Sequence, residues 1–196
     1  MDQILSDKKA LRSDILKKRV EIPDEKITID SKKIIDKLLE LEAYKKSTTI
    51  MCFVDFKKEV RSRLIIKQAL DNGKRVLVPI ITKDTDGKKV MKASHLISFE
   101  NDLESGTMGI LEPKPECRRY VDPSEIDFFV TPGVAFDVHK NRLGYGAGFH
   151  DAMFRLVRKD CQKVAVCFDF QVFEHIPIMD YDVPVDMILT ELRTII

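Results

Sequence analysis

Glycine is scarce in this chain, eight residues in 196, and three of the eight stand at positions 144, 146 and 148. The other shortages each exclude something. Four cysteines (Cys52, Cys117, Cys161 and Cys167) form no C-x-x-C pair and show no metal-like spacing with the four histidines. Cys52 and Cys167 stand inside apolar runs and read as small buried hydrophobes, a usage that suits a reducing compartment. Neither sign of charge is in excess: 33 Lys and Arg against 32 Asp and Glu leave a net charge of +1. That balance carries no overall electrostatic footprint for nucleic acid or membrane. No apolar run approaches the roughly 20 residues that span a bilayer. The N-terminus is charged from its second residue, unlike a signal peptide. The expectation is a soluble, cytoplasmic protein without a nucleic-acid or membrane partner.

Hydrophobic residues make up 44% and charged residues 33%, a globular composition. Leu5, Leu11, Ile15, Leu16 and Val20 predict an amphipathic first helix, with Ser6 and Asp7 available as caps. Pro23 and Asp24 interrupt it, and a second helix is expected to run to about Lys46. TTIMCFV (Thr48–Val54), RVLVPII (Arg75–Ile81) and DFFVTPGVAF (Asp127–Phe136) are nearly continuous in apolar and β-prone residues, the pattern of strands buried on both faces. Between the first two, a helix around Leu64, Ile65 and Ala69 stops at Gly73. KKVM is a short strand, and Phe99 to Pro123 a long loop with one short helix near Glu100–Leu103. AMFRLVRKD (Ala152–Asp160) is a helix, VAVCFDF (Val164–Phe170) and DMILT (Asp186–Thr190) strands. Strands alternating with helices predict a three-layer α/β/α sandwich with a mainly parallel sheet. Without repeat or linker, residues 1–196 are expected to form one domain.

In such a sheet, ligands bind beyond the carboxyl ends of the strands. The stretch NRLGYGAGFHD (Asn141–Asp151) falls there, between a strand and a helix starting near His150. Glycines at alternate positions let backbone N–H groups turn toward a ligand, and with Arg142 and the helix start they would hold an anion. The spacing is neither G-x-G-x-x-G nor a Walker G-K-[ST]. On spacing alone a phosphate cradle and an ordinary glycine-rich connection are equally supported. Asp151 alone reads equally as a favourable charge in the first turn of a helix.

TPGVAFDVHKNRLGYGAGFHDAMF closely resembles the signature of the 5-formyltetrahydrofolate cyclo-ligase family, PG-x-AFD followed by R-LG-x-G-x-GYYD. In the family's order, the chain also carries KKALR (Lys8–Arg12), KKEV before Ser62, GKRVLVP, GILEP (Gly109–Pro113), FDFQ and DYDVPVDMILTE. The resemblance covers nearly the whole length. It implies a fold similar to that of sugar-phosphate isomerases and CoA transferases. It also implies ATP-dependent closure of 5-formyltetrahydrofolate to 5,10-methenyltetrahydrofolate by a monomer. Matching motifs place ATP on Lys8, Lys9, Arg12, Arg142, Leu143, Gly144, Tyr145, Gly146, Ala147, Gly148, Phe149 and His150. Folate falls to Val54, Glu59 and Tyr145 to Phe149, magnesium to Asp151 and Asp182, and the chemistry to Arg142, Phe149 and His150.

Two departures stand out. Phe149 and His150 replace two tyrosines, and Lys140 replaces a glycine. If that turn needs φ > 0, either Lys140 or Asn141 takes the left-handed position. Two other functions stay open: a sugar-phosphate isomerase using Asp137 and His139 as acid and base, and a folate- or nucleotide-binding protein without turnover.

Overall fold

The computed structural model describes residues 2–106 and 109–196. Three helices open the chain: α1 (Asp2–Glu21), α2 (Asp24–Glu40) and α3 (Glu42–Lys46). α1 starts ahead of the expected caps, and Pro23, with its fixed φ and missing N–H, separates it from α2. The second predicted helix is two, because Leu41 is extended (φ −63°, ψ 128°).

The strands are β1 (Thr49–Cys52), β2 (Arg75–Lys83), β3 (Lys89–Leu96), β4 (Leu103–Ser105), β5 (Leu111–Pro113), β6 (Tyr120–Val121) and β7 (Phe128–Thr131). They continue with β8 (Ala135–Asp137), β9 (Arg142–Leu143), β10 (Gln162–Val166), β11 (Val172–Phe173), β12 (Met187–Leu189) and β13 (Thr194–Ile195). Three more helices, α4 (Ser62–Asp71), α5 (Phe99–Asp102) and α6 (Phe149–Phe154), lie between them.

Eight strands form the large sheet in the order β13–β12–β10–β7–β1–β2–β3–β6. From β12 to β2 every pairing is parallel, while β13 on one side and β3 and β6 on the other run antiparallel. The fold is thus mixed α/β with a mainly parallel sheet, as the alternating pattern predicted. Ile50, Cys52, Val76, Val78, Phe128, Val130, Val164 and Val166 face one core with Ile34, Ile35 and Leu38 of α2 and Ile65, Ile66 and Ala69 of α4. Met51, Leu77, Phe129, Ala165 and Ile188 face the opposite core with Phe136 and with Met153 and Phe154 of α6. Alternate side chains point to opposite faces of a strand, and here both faces are covered.

Several expectations change. The stretch from Phe99 to Pro123 contains α5, β4, β5 and β6, so its described part is structured. β3 is eight residues long because it pairs along nearly the whole of β2. β7 ends at Thr131, and β8 and β9 leave the large sheet for a three-stranded one, β11–β8–β9. The strand predicted to Phe170 ends at Val166. α6 is six residues rather than a helix from Ala152 to Asp160, since the chain turns after Phe154. α1 packs on the small sheet, through Ile15 against Val134, Ala135, Leu143 and Ile176.

Candidate active site

The face that α1 presents to the rest of the protein mixes apolar with charged side chains, Leu11, Ile15 and Leu16 packing on the small sheet. Lys8, Arg12, Ile15 and Arg19 recur at helical spacing, and Lys8, Ile15 and Arg19 are buried, while the predicted apolar members Leu5 and Val20 are 46% and 63% exposed. Lys8 Nζ donates to Asp182 Oδ2. Arg12 Nε donates to the Gly144 carbonyl at 2.9 Å, and Arg19 Nη2 to the Tyr145 hydroxyl at 2.6 Å. One helix face therefore holds both the glycine loop and the Asp182 carboxylate. Lys9, expected alongside them, lies beside that stripe and is exposed.

Arg142 comes from β9 and is 5% exposed. Its Nη2 donates to Asp151 Oδ2 at 3.1 Å and its Nη1 to the Pro132 carbonyl at 3.4 Å, while Nε is buried with no partner among the described residues. Burial pushes its pKa down and Asp151 and Asp182 oppose the shift, so the guanidinium stays charged. Asp151 Oδ1 accepts from the Val183 N–H at 3.2 Å, and Asp182 Oδ2 from the Met179 N–H at 2.8 Å. The two carboxylates thus sit on adjoining backbone.

Gly144 is required by this packing: a Cβ there would lie 2.8 Å from Arg142 Nη1. Gly146 (φ 105°) and Gly148 (φ 69°) take conformations that side chains disfavour. The helix expected to aim a positive end at an anion is the six-residue α6, too short for a macrodipole of consequence. Cationic side chains and loop N–H groups remain. Leu143 pairs with Ala135 and is buried in the core facing α1, and Ala147 is exposed on the loop.

Glu59 follows β1 and is 6% exposed. Its Oε2 accepts from the Phe56 N–H at 2.9 Å and its Oε1 from the Tyr145 hydroxyl, with Arg19 Nη1 3.9 Å from Oε1. Burial raises the Glu59 pKa above the usual carboxylate range, opposed by Arg19, Tyr145 and the Phe56 N–H. Burial, then Glu59, pushes the Tyr145 phenol upward. Val54, two residues after β1, is buried in the helix-facing core. Phe149 is half-buried at the start of α6.

His150 lies edge-on to Phe129 and Phe154, with ring centroids 6.1 Å from each. Burial first, and Arg142 second, hold its pKa well below the ordinary value. Both influences favour the neutral imidazole, which suits a neutral polar group standing where the family has tyrosine. Lys140 itself takes the left-handed position (φ 68°), closing a turn in which its N–H donates to the Asp137 carbonyl at 3.0 Å. The Asp137 carboxylate is buried and accepts from His139 N, Asn141 N and Asn141 Nδ2. It is a clamp for the turn. His139 stacks on His175, centroids 5.0 Å apart, so the acid–base pair wanted by an isomerase is not assembled.

The described residues contain no group of three or more His, Cys, Asp or Glu placed to hold a metal. Two carboxylates fit magnesium, which completes its shell with water and phosphate oxygens. No described helix is long and apolar enough to cross a membrane. Arg19 is the site residue that sequence reasoning missed, and its signal was the Lys8–Arg12–Ile15–Arg19 stripe.

A mainly parallel α/β sheet on which α1 and β9 bring buried cations to a glycine loop and two carboxylates suits an enzyme of the class that handles anionic substrates. The sequence profile of the 5-formyltetrahydrofolate cyclo-ligase family matches residues 4–191, and the chain belongs to that family of ligases. It is 30% identical over 143 residues to the 5-formyltetrahydrofolate cyclo-ligase of Escherichia coli K12, covering 72% of this chain and 77% of the relative. Over 183 residues it is 28% identical to a probable 5-formyltetrahydrofolate cyclo-ligase of Caenorhabditis elegans, covering 90% and 88%. The solved structure of the Aquifex aeolicus 5,10-methenyltetrahydrofolate synthetase superposes with a TM-score of 0.81 at 33% identity, over 95% of this chain and 91% of that one.

Proposed function

We propose that this protein closes 5-formyltetrahydrofolate to 5,10-methenyltetrahydrofolate while ATP is converted to ADP and phosphate. The observation that carries the reading is the junction of α1 with the glycine loop. There Lys8, Arg12 and Arg142 converge near Asp151 and Asp182, and Glu59 is reached from the same helix and loop through Arg19 and Tyr145.

The residues present suit a magnesium nucleotide. Arg142 keeps a buried N–H without a partner among the described residues, the space beside Gly148 is open, and Asp151 and Asp182 are hard oxygen donors. Lys8, Arg12 and Arg142 would hold the phosphates, and the two aspartates the magnesium. Bound MgATP would supply the phosphoryl group that turns the formyl oxygen into a leaving group, so that N10 can attack the activated carbon. The chain's part is positioning and charge neutralisation. Lys8 and Arg142 are each paired with a carboxylate, so a triphosphate and its magnesium can exchange partners with both pairs. Glu59 and Tyr145 would grip the pterin, whose N–H donors need acceptors. Phe149 offers a flat ring beside the loop, without the hydroxyl that tyrosine would bring.

Incubation with 5-formyltetrahydrofolate and MgATP should produce the near-ultraviolet absorbance of the methenyl product together with ADP. Folded protein giving neither would refute the proposal. Folate binding without ADP release would indicate a binding protein instead.

A further inference from the structure

Arg19 contacts neither of the carboxylates assigned to magnesium, yet it is 3% exposed. A guanidinium is buried stably only where an anion offsets its desolvation. The anion is Glu59, reached directly at 3.9 Å and through the Tyr145 hydroxyl, to which Arg19 donates at 2.6 Å. Its Cζ also lies 5.7 Å from the Tyr145 ring centroid. Around Glu59 the facing groups are Arg19 from α1, Tyr145 from the glycine loop, and Asp55 with the Phe56 N–H from the segment after β1. Asp55 repels it, and is itself neutralised by Arg63 at 2.9 Å and Arg61 at 3.7 Å. Lys58 turns away to the Ile22 carbonyl and Asp24. Arg19 is thus the cation paired with Glu59 among the described residues.

We infer that Arg19 is a positioning residue of the folate subsite, which, with Tyr145, keeps Glu59 an ionised and fixed acceptor for the N–H donors of the pterin. The inference rests on the cyclo-ligase reading. A protonated Glu59 offers the pterin a hydroxyl where an acceptor is wanted, and burial beside Asp55 favours that protonated form. The positive charge of Arg19 opposes it. Without that charge the Glu59 pKa rises further. Folate binding then weakens below the raised pKa and recovers as pH increases through it.

The test measures kcat and KM for 5-formyltetrahydrofolate between about pH 6 and pH 9 in wild type, Arg19→Met, Arg19→Lys and Glu59→Gln, together with the Arg19→Met/Glu59→Gln double variant. Wild type should show a KM that changes little with pH. In Arg19→Met, KM should rise about tenfold or more near neutrality and fall with pH, by up to about tenfold per unit below the raised pKa, with kcat less affected. Arg19→Lys should retain the flat profile. Glu59→Gln should raise KM without pH dependence, and Arg19→Met should add little to it. Arg19→Gln replaces Arg19→Met if the latter does not fold. A defect independent of pH, or effects of the two sites that simply add, would overturn the inference while leaving the activity standing. A folded wild type without turnover would overturn the cyclo-ligase reading itself.

Discussion

Gly144→Ala is a small change with a calculable consequence. A Cβ at this position would sit 2.8 Å from Arg142 Nη1, closer than side chains tolerate, and 3.6 Å from Nη2. Reaching an ordinary 3.4 Å contact requires the guanidinium to withdraw by 3.4 − 2.8 = 0.6 Å. It has little freedom to do so, being held at 3.1 Å by Asp151 and 3.4 Å by the Pro132 carbonyl under the Phe154 ring. The movement sacrifices at least one hydrogen bond of a buried charge, a loss of about 2 kcal/mol. If Arg142 binds phosphate, that energy is withdrawn from ATP use, and kcat/KM for MgATP should fall about thirtyfold. Gly87→Ala, in the turn between β2 and β3, is the control: nothing lies within 4 Å of its Cβ, and its φ of 78° costs stability of about 1 kcal/mol without touching Arg142. Initial rates at saturating folate, with thermal melts beside them, separate the two. A folded Gly144→Ala whose MgATP kinetics stay within about twofold of wild type would refute the assignment of Arg142 to the phosphates.

Arg142→Ala should depress kcat/KM for MgATP far more than Lys140→Ala, because Arg142 is buried against Asp151 while the Lys140 backbone merely closes a turn; equal effects would contradict the loop assignment. Lys140→Gly should stabilise the fold by about 0.5–1 kcal/mol, read from the urea midpoint, since glycine takes φ 68° without the penalty that lysine carries. Asp127 sets a pH dependence. Burial alone would raise its pKa, but N–H groups of Thr49 and Thr48, the Thr48 hydroxyl and Arg158 hold it down to about 2. A folded pKa below the unfolded value means that the carboxylate contributes about 2 kcal/mol above about pH 4, lost as pH falls toward about 2. Asp127→Asn should therefore lower the urea midpoint at pH near 6 and differ progressively less from wild type on acidification; a constant difference would refute it.

The central strands were legible because burial on both faces leaves β1 and β7 apolar apart from one terminal threonine each, and the inner part of β2 apolar throughout. The glycine loop was visible as a cluster, and its match to a family signature placed Arg142 and Asp151 together, as the 3.1 Å contact shows. What escaped was buried charge. Hydrophobic periodicity cannot see that Lys8 and Arg19 are interior, since the same letters on most helices mark a solvated face. It therefore put Leu5 and Val20 inside, where the structure leaves both exposed. Backbone geometry escaped as well: whether Lys140 or Asn141 would be left-handed depends on the Asp137 clamp, which pins the turn from a distance of several residues. The length of α6 is likewise a tertiary matter, decided by the turn after Phe154.

The charged face of α1 has a consequence for how fold and site depend on one another. Ile15 is the one fully apolar side chain that this helix buries, seated among Val134, Ala135, Leu143 and Ile176. Leu11 and Leu16 pack against the same cluster, and beside them the attachment runs through Lys8 to Asp182, Arg12 to the Gly144 carbonyl and Arg19 to Tyr145 and Glu59. The helix is docked by the site it helps to build. Stability alone does not call for this arrangement, because burying an ion pair costs desolvation that packed apolar side chains of similar volume avoid, and replacing such pairs is often neutral or stabilising. Leucine or methionine at positions 8 and 19 would hold α1 at least as well. Under the proposed function the cations gain a reason: Lys8 can exchange Asp182 for a polyphosphate at one end of the stripe, and Arg19 serves the folate through Glu59 at the other. The 11-residue interval from Lys8 to Arg19, about 16 Å of helix, then spans the two substrates that the proposed reaction must bring together.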